Sequence, residues 1–153
     1  AAQAFVSGQN DAAMTYEPYL STVRANPAAG KILATTIDYP MVMDTVGCDP
    51  KWLKANTAAA KALTQSYFDA VAMINSDKEK SYEIMGAAVK QSGEQFGKSA
   101  SFLKWSDKEA NQKFFANDLM PFMKEAAVIL KEAGVIRSIP ENYNVMYDAS
   151  FIK

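Results

Sequence analysis

From Asp49 onward the apolar residues recur at helical spacing, and this constrains the fold more than any other feature of the chain. Ala59, Leu63, Tyr67, Ala70 and Ile74 follow one another at intervals of four, four, three and four, which lines them along one helix face. Asn56 stands where it can cap that helix. Ahead of it, Asp49-Pro50 opens a short helix carrying Trp52 and Leu53. Ser76 with Glu79, and Ser106 with Glu109, have capping-box spacing and mark two further starts. Tyr82, Met85 and Val89 form the inward face after the first start, and Gly93 and Gly97 bracket a short helical turn around Phe96. The second start opens a long segment to Ala133, with Phe115, Leu119, Phe122, Ala126, Ile129 and Ala133 in helical period. Pro121 predicts a kink or a split in it, because proline removes a backbone donor. Gly134 is placed as its carboxyl-terminal cap.

Strand signals are confined to the first third: Ala12 to Thr15, Lys31 to Thr35, and Met41 to Cys48, the last rich in Val, Thr and Met. Ala1 to Val6 reads as a helix already under way, and the start reads as cut. Pro18 to Ala25 reads as a short helix stopped by Asn26-Pro27. Ile37 to Pro40 is a polar, aromatic loop. The tail, Val135 to Lys153, predicts turns and a short strand or helix over the body. The inventory predicts an α/β chain, helix-rich with few short strands, whose unpaired strand edges invite association. No repeat or linker divides it, and 153 residues predict one compact body that buries about 70% of its extended surface.

Composition removes several function classes. Sixteen basic residues balance 17 acidic ones, and no Lys/Arg run tracks a phosphate backbone, so nucleic acid is not an expected partner. No apolar run approaches the ~20 residues that span a bilayer, and the first residues lack a signal-peptide pattern. The single cysteine, Cys48, allows no intrachain disulfide and no cysteine-based metal site; beside Asp49 and without a basic neighbour it reads as a small buried hydrophobe. The chain has no histidine, which takes away the usual general base and the commonest metal ligand. That disfavours an enzyme without excluding carboxylate or lysine chemistry. No cofactor is expected.

The candidate site residues gather around the stretch from Ser7 to Tyr19, where an apolar strand ends in Tyr16-Glu17-Pro18. Ligands of open α/β sheets sit at strand carboxyl ends. Tyr16 offers a flat wall with a hydroxyl, and Glu17 an acceptor for an amine or for backbone amides. The plainer alternative makes Tyr16 a core aromatic and Glu17 a first-turn helix acid. Thr15 can offer its hydroxyl to an anionic oxygen. Asp44 interrupts an apolar strand, and a buried carboxylate there would need a cation; on a solvated face it has no such role. Asp38 and Tyr39, in the loop, line the cleft or are ordinary loop residues.

These residues also carry a family resemblance. Gly8-Gln9, Asp11-Ala12-Ala13, Thr15-Tyr16-Glu17-Pro18-Tyr19, Gly30-Lys31-Ile32-Leu33, Asp49-Pro50-Lys51-Trp52-Leu53 and Asp148-Ala149-Ser150-Phe151-Ile152, in that order, resemble the solute-binding proteins of ABC importers in the nitrate, sulfonate, taurine and thiamine-precursor group. The resemblance implies a type II periplasmic-binding-protein fold, here an incomplete two-lobe fold. Residues 1–35 would end the second lobe and return toward the hinge, and residues 36–153 would form the carboxyl-terminal part of the first. It implies a small nitrogen- or sulfur-containing solute held between lobes by Thr15, Tyr16, Glu17, Asp38, Tyr39 and Asp44. It also implies a membrane permease as partner and a periplasmic or extracytoplasmic location. A second copy, or a companion amino-terminal fragment, would complete the fold. The group often has tryptophan at the place of Tyr16. Its thiamine-pyrimidine synthase branch relies on histidine, which is absent here. A helical protein-interaction module is the rival of a different class.

Overall fold

The computed structural model describes residues 1–39 and 42–153. Among the described residues the regular structure is helical throughout, with no strand. The helices are α1 (Ala2–Val6), α2 (Tyr19–Arg24), α3 (Pro50–Ala55), α4 (Thr57–Ser76), α5 (Lys78–Ala88), α6 (Gly93–Ala100), α7 (Lys108–Lys113) and α8 (Leu119–Glu132). This corrects the expected α/β, periplasmic-binding-protein fold. Residues 12–15, 31–35 and 42–48 are irregular and pair with nothing. Met41, which begins the third expected strand, and Pro40, which ends the expected loop, lie outside the described residues. A helix satisfies its backbone within one segment, whereas a strand needs a second segment alongside.

The chain divides into two compact units, where one body was expected: residues 1–42 with 73–104, and residues 43–72 with 105–153. The division falls inside α4. It differs from the expected division at 35/36, which concerned lobes of a fold that is not observed.

In the first unit α5 and α6 form a tight hairpin. Asp77 caps α5 by accepting from the amide of Lys80 at 3.2 Å. The cap therefore stands one residue after Ser76, whose hydroxyl turns back to the Met73 carbonyl. Ser92 and Gln95 form a reciprocal capping box at the start of α6. Tyr82 and Phe96 meet edge to face at 5.6 Å. Gly86 makes the turn possible, since a Cβ there would stand 2.9 Å from the carbonyl oxygens of Gln91 and Ser92. Ala2, Val23, Ile74, Ala100 and the hydroxyl-bearing Ser81 and Ser99 are buried in this unit.

In the second unit Asp49 caps α3, accepting from the amides of Lys51 and Trp52 at 2.8 and 2.9 Å, with Pro50 in the first turn. Asn56 serves the end of α3, donating to the Trp52 carbonyl, and does not cap α4. Within this unit the buried residues of α4 are Ala60, Phe68 and Val71, one residue on from the expected Ala59, Tyr67 and Ala70; the expected Leu63 is exposed, while the expected Ile74 is buried as read. Tyr67 stays half in solvent, tied by its hydroxyl to the Ser106 carbonyl at 3.0 Å. Asp107, one residue after the expected Ser106, caps α7. The long segment is then interrupted as Pro121 predicts. A wider π turn, Phe114–Asp118, separates α7 from α8 and contains Asn117, whose carbonyl the proline can neither bond nor approach. Gly134 ends α8 at φ +71°, with its own amide on Lys131 and the next amide on Leu130, a complete Schellman closure. The tail folds back as two short 3-10 turns, Tyr143–Val145 and Ala149–Ile152. Gln112 donates to the Ile152 carbonyl at 2.9 Å, and Phe115 meets Tyr147 at 5.9 Å.

The chain exposes 11,651 Å². Two separate compact units of its total mass would expose about 9,000 Å², and the expected burial of ~70% falls to about half. Leu33, Val42, Val46 and Val145 are among the large apolar side chains left in solvent. Among the described residues no helix is long and apolar enough to cross a membrane.

Candidate functional site

The Tyr16-Glu17-Pro18-Tyr19 step lies where the irregular residues 12–16 lead into α2. Pro18 sits at the amino-terminal boundary of α2, where its missing donor costs nothing. The Glu17 side chain is only 6% exposed. Its Oε2 accepts from the amide and hydroxyl of Ser21 at 3.1 and 2.7 Å, and its Oε1 from Arg24 Nε at 3.3 Å. Arg24 is fixed on its other side by Phe102, whose ring centroid lies 4.0 Å from the guanidinium carbon. The Ser21 hydroxyl is also 3.3 Å from that of Ser99, which ties α2 to α6.

On this base two rings project outward. Tyr16 is 71% exposed and Tyr19 56%, and the rings stand edge to face at 5.6 Å and 84°. Tyr16 precedes α2 and Tyr19 opens it, and the turn at Glu17-Pro18 between them brings the two rings together. Tyr19, Arg24 and Phe102 were not among the expected site residues. The aromatic-acid-proline-aromatic order showed Tyr19 in the sequence, but nothing in it joined Phe102 to Arg24.

The remaining candidates are placed as follows. Thr15 is half-buried. Asp38 closes a local turn, accepting from the amide and hydroxyl of Thr35 at 3.3 and 2.9 Å, and Tyr39 beside it is exposed. Asp44 is exposed in an irregular segment, so the desolvation that would make its carboxylate unusual is absent. Thr15, Tyr16, Glu17, Asp38 and Tyr39 belong to the first unit and Asp44 to the second. Cys48, expected to be buried, is exposed. Among the described residues no three His, Cys, Asp or Glu side chains converge as a metal site.

Comparison with protein-family models, with curated proteins and with solved structures finds no match to this chain.

Proposed function

We propose that the chain is a solute-recognising part of an ABC importer's binding component, acting in the periplasm or an equivalent extracytoplasmic space. Its solute is a small nitrogen- or sulfur-containing molecule such as nitrate, taurine or another sulfonate. One observation carries this reading. Glu17 is turned inward and held by Ser21 and Arg24, so the segment is stiff, while Tyr16 and Tyr19 face outward on it. Rigid aromatics give large contact area at low conformational cost, and their hydroxyls donate to anionic oxygens. The ordered sequence motifs of the importer group support the same reading. It does not rest on the α/β fold, and it assigns no reaction to the chain.

The exposed apolar surface favours a second reading, a helical module that docks on another protein. The two meet in one requirement: a second polypeptide, either another copy or a companion amino-terminal fragment, covers that surface, and the permease receives the complex.

Titration calorimetry with taurine, nitrate and short alkyl sulfonates, on the chain alone and with its companion, tests the solute reading. Saturable binding is expected, weakened about ten-fold or more by Tyr16→Ala with Tyr19→Ala, the loss typical of anchoring aromatics. Tyr16→Phe should keep part of it. A stoichiometric protein complex without any solute binding would leave only the docking module, and solute binding indifferent to both tyrosines would move the site elsewhere.

A further inference from the structure

The turn Ala149–Ile152, the exposed side of α4 and the start of α7 surround a depression of about 590 Å³ in the second unit. That volume lies within the ~300–1,000 Å³ of typical small-molecule sites. Its ionisable side chains carry charge of one sign. Lys61 from α4, Lys108 from α7 and Lys153 after the last turn line it, and no Asp or Glu does. Buried Phe68 and half-buried Phe151 add apolar surface, and Ser150 adds a hydroxyl.

Three carboxylates near the lysines in sequence have partners of their own, and Glu109, beside Lys108, is exposed and does not line the depression. Asp107 accepts from the Ala110 amide at 2.8 Å, Asp69 from Gln65 Nε2 at 2.8 Å, and Asp148 from the Ser150 amide at 2.9 Å. None of the three lysines is in an ion pair among the described residues. Lys153 is nonetheless partly answered, because the Asp148 carboxyl is held below its ordinary value by Ser150 first and, to a smaller degree, by the charge of Lys153. Lys61 and Lys108 are the two cations left for an incoming group.

We infer that this depression binds a small organic anion, with its carboxylate, sulfonate or phosphate head among Lys61, Lys108 and Lys153 and its apolar body against Phe68 and Phe151. Residues 61, 108 and 153 are distant in sequence and only the fold brings them to one concavity. Exposed ammonium groups are screened by salt, so attraction of the head weakens as ionic strength rises, while burial of the apolar body does not. The site is independent of the Tyr16 and Tyr19 pair, which belongs to the other unit.

The test uses 2-naphthalenesulfonate, with neutral 2-naphthylmethanol as a probe of the same apolar body, followed by calorimetry and amide NMR on the full chain. The sulfonate should bind one to one, with shifts centred on residues 61–68, 108 and 150–153, and at least ten-fold more tightly than the alcohol. Lys61→Gln with Lys108→Gln should weaken the sulfonate about ten-fold and leave the alcohol unchanged, Lys153→Gln should do less, and Phe151→Ala should weaken both probes. Should the double variant fail to fold, raising salt from about 0.05 to 0.5 M must weaken the sulfonate in the parent chain. Equal affinity of the two probes, shifts centred outside the depression, salt-independent binding, or no saturable binding would overturn the assignment.

Discussion

The hairpin of α5 and α6 and the irregular residues 31–39 and 42–49 differ sharply in how they meet the needs of the backbone. Across the hairpin, Asp77, Ser92 and Gln95 cap the helix starts, ladder bonds fill the interiors, and Gly86 lets the turn close against its own backbone. The sequence 31–49 is richer in β-branched residues, yet Leu33, Ile37, Val42 and Val46 stand in water with no strand beside them among the described residues. Local sequence is enough to build a capped helix; a strand remains unbuilt until another segment lies alongside. The difference marks where local sequence suffices to build structure and where it does not.

Hydrogen exchange tests that contrast at its largest. Amides 80–86 and 96–100 should exchange on the order of 10³ times more slowly than amides 31–34 and 42–48, which have no ladder to open. A second polypeptide of the kind proposed above should slow the second group, and one that protects only the helices would break the comparison. Protection of 31–34 in the isolated chain would show a pairing that the fold lacks.

Gly86→Ala attacks the finished side. Crowding against two backbone carbonyls costs roughly 1–3 kcal/mol, whereas the alanine returns at most about 1 kcal/mol of helix propensity. A net loss of up to about 2–3 kcal/mol is expected, read as a lower urea midpoint. An unchanged midpoint would mean that the turn after α5 relaxes freely.

The smallest expected effect is at Asp148. Its carboxyl is held below the ordinary 3.8 by bonds from Ser150 and by Lys153. With the folded value depressed, the stabilisation is complete above the unfolded value and is lost as pH falls through the folded one. The Ser150 amide shift should therefore titrate below the unperturbed aspartate range, and Asp148→Asn should remove that titration. A titration at the ordinary aspartate value would show that the cap is not formed.

The sequence places many of the helix ends within a residue. Asp49-Pro50 starts α3, Pro121 interrupts the long segment, and Gly134 closes α8, each through a property of one residue type. Elsewhere the side chain one place further on took the role, as Asp77 did for Ser76 and Asp107 for Ser106, because carboxylate and hydroxyl compete for the same orphan amides. The α4 face was rotated by one residue for a different reason. Alanine on either side of the helix left two apolar stripes in the sequence, and only contact chose Ala60, Phe68 and Val71 over Leu63 and Tyr67.

At the candidate site, Tyr16 and Glu17 were visible as chemistry, but their orientation was not. An isolated Glu17 can face a solute or its own helix, and the positions of Ser21 and Arg24 turned it inward, with Phe102 fixing the arginine from 78 residues away in the chain. Sequence by itself determined the helices, their stops and the residue types able to meet a small solute, since these depend on neighbours within a turn or two. Tertiary structure alone decided that the strand-like segments stay unpaired, which tyrosine rings remain outside, and that Lys61, Lys108 and Lys153 share one depression. Those outcomes depend on which distant segments come into contact, and periodicity along the chain carries no record of that.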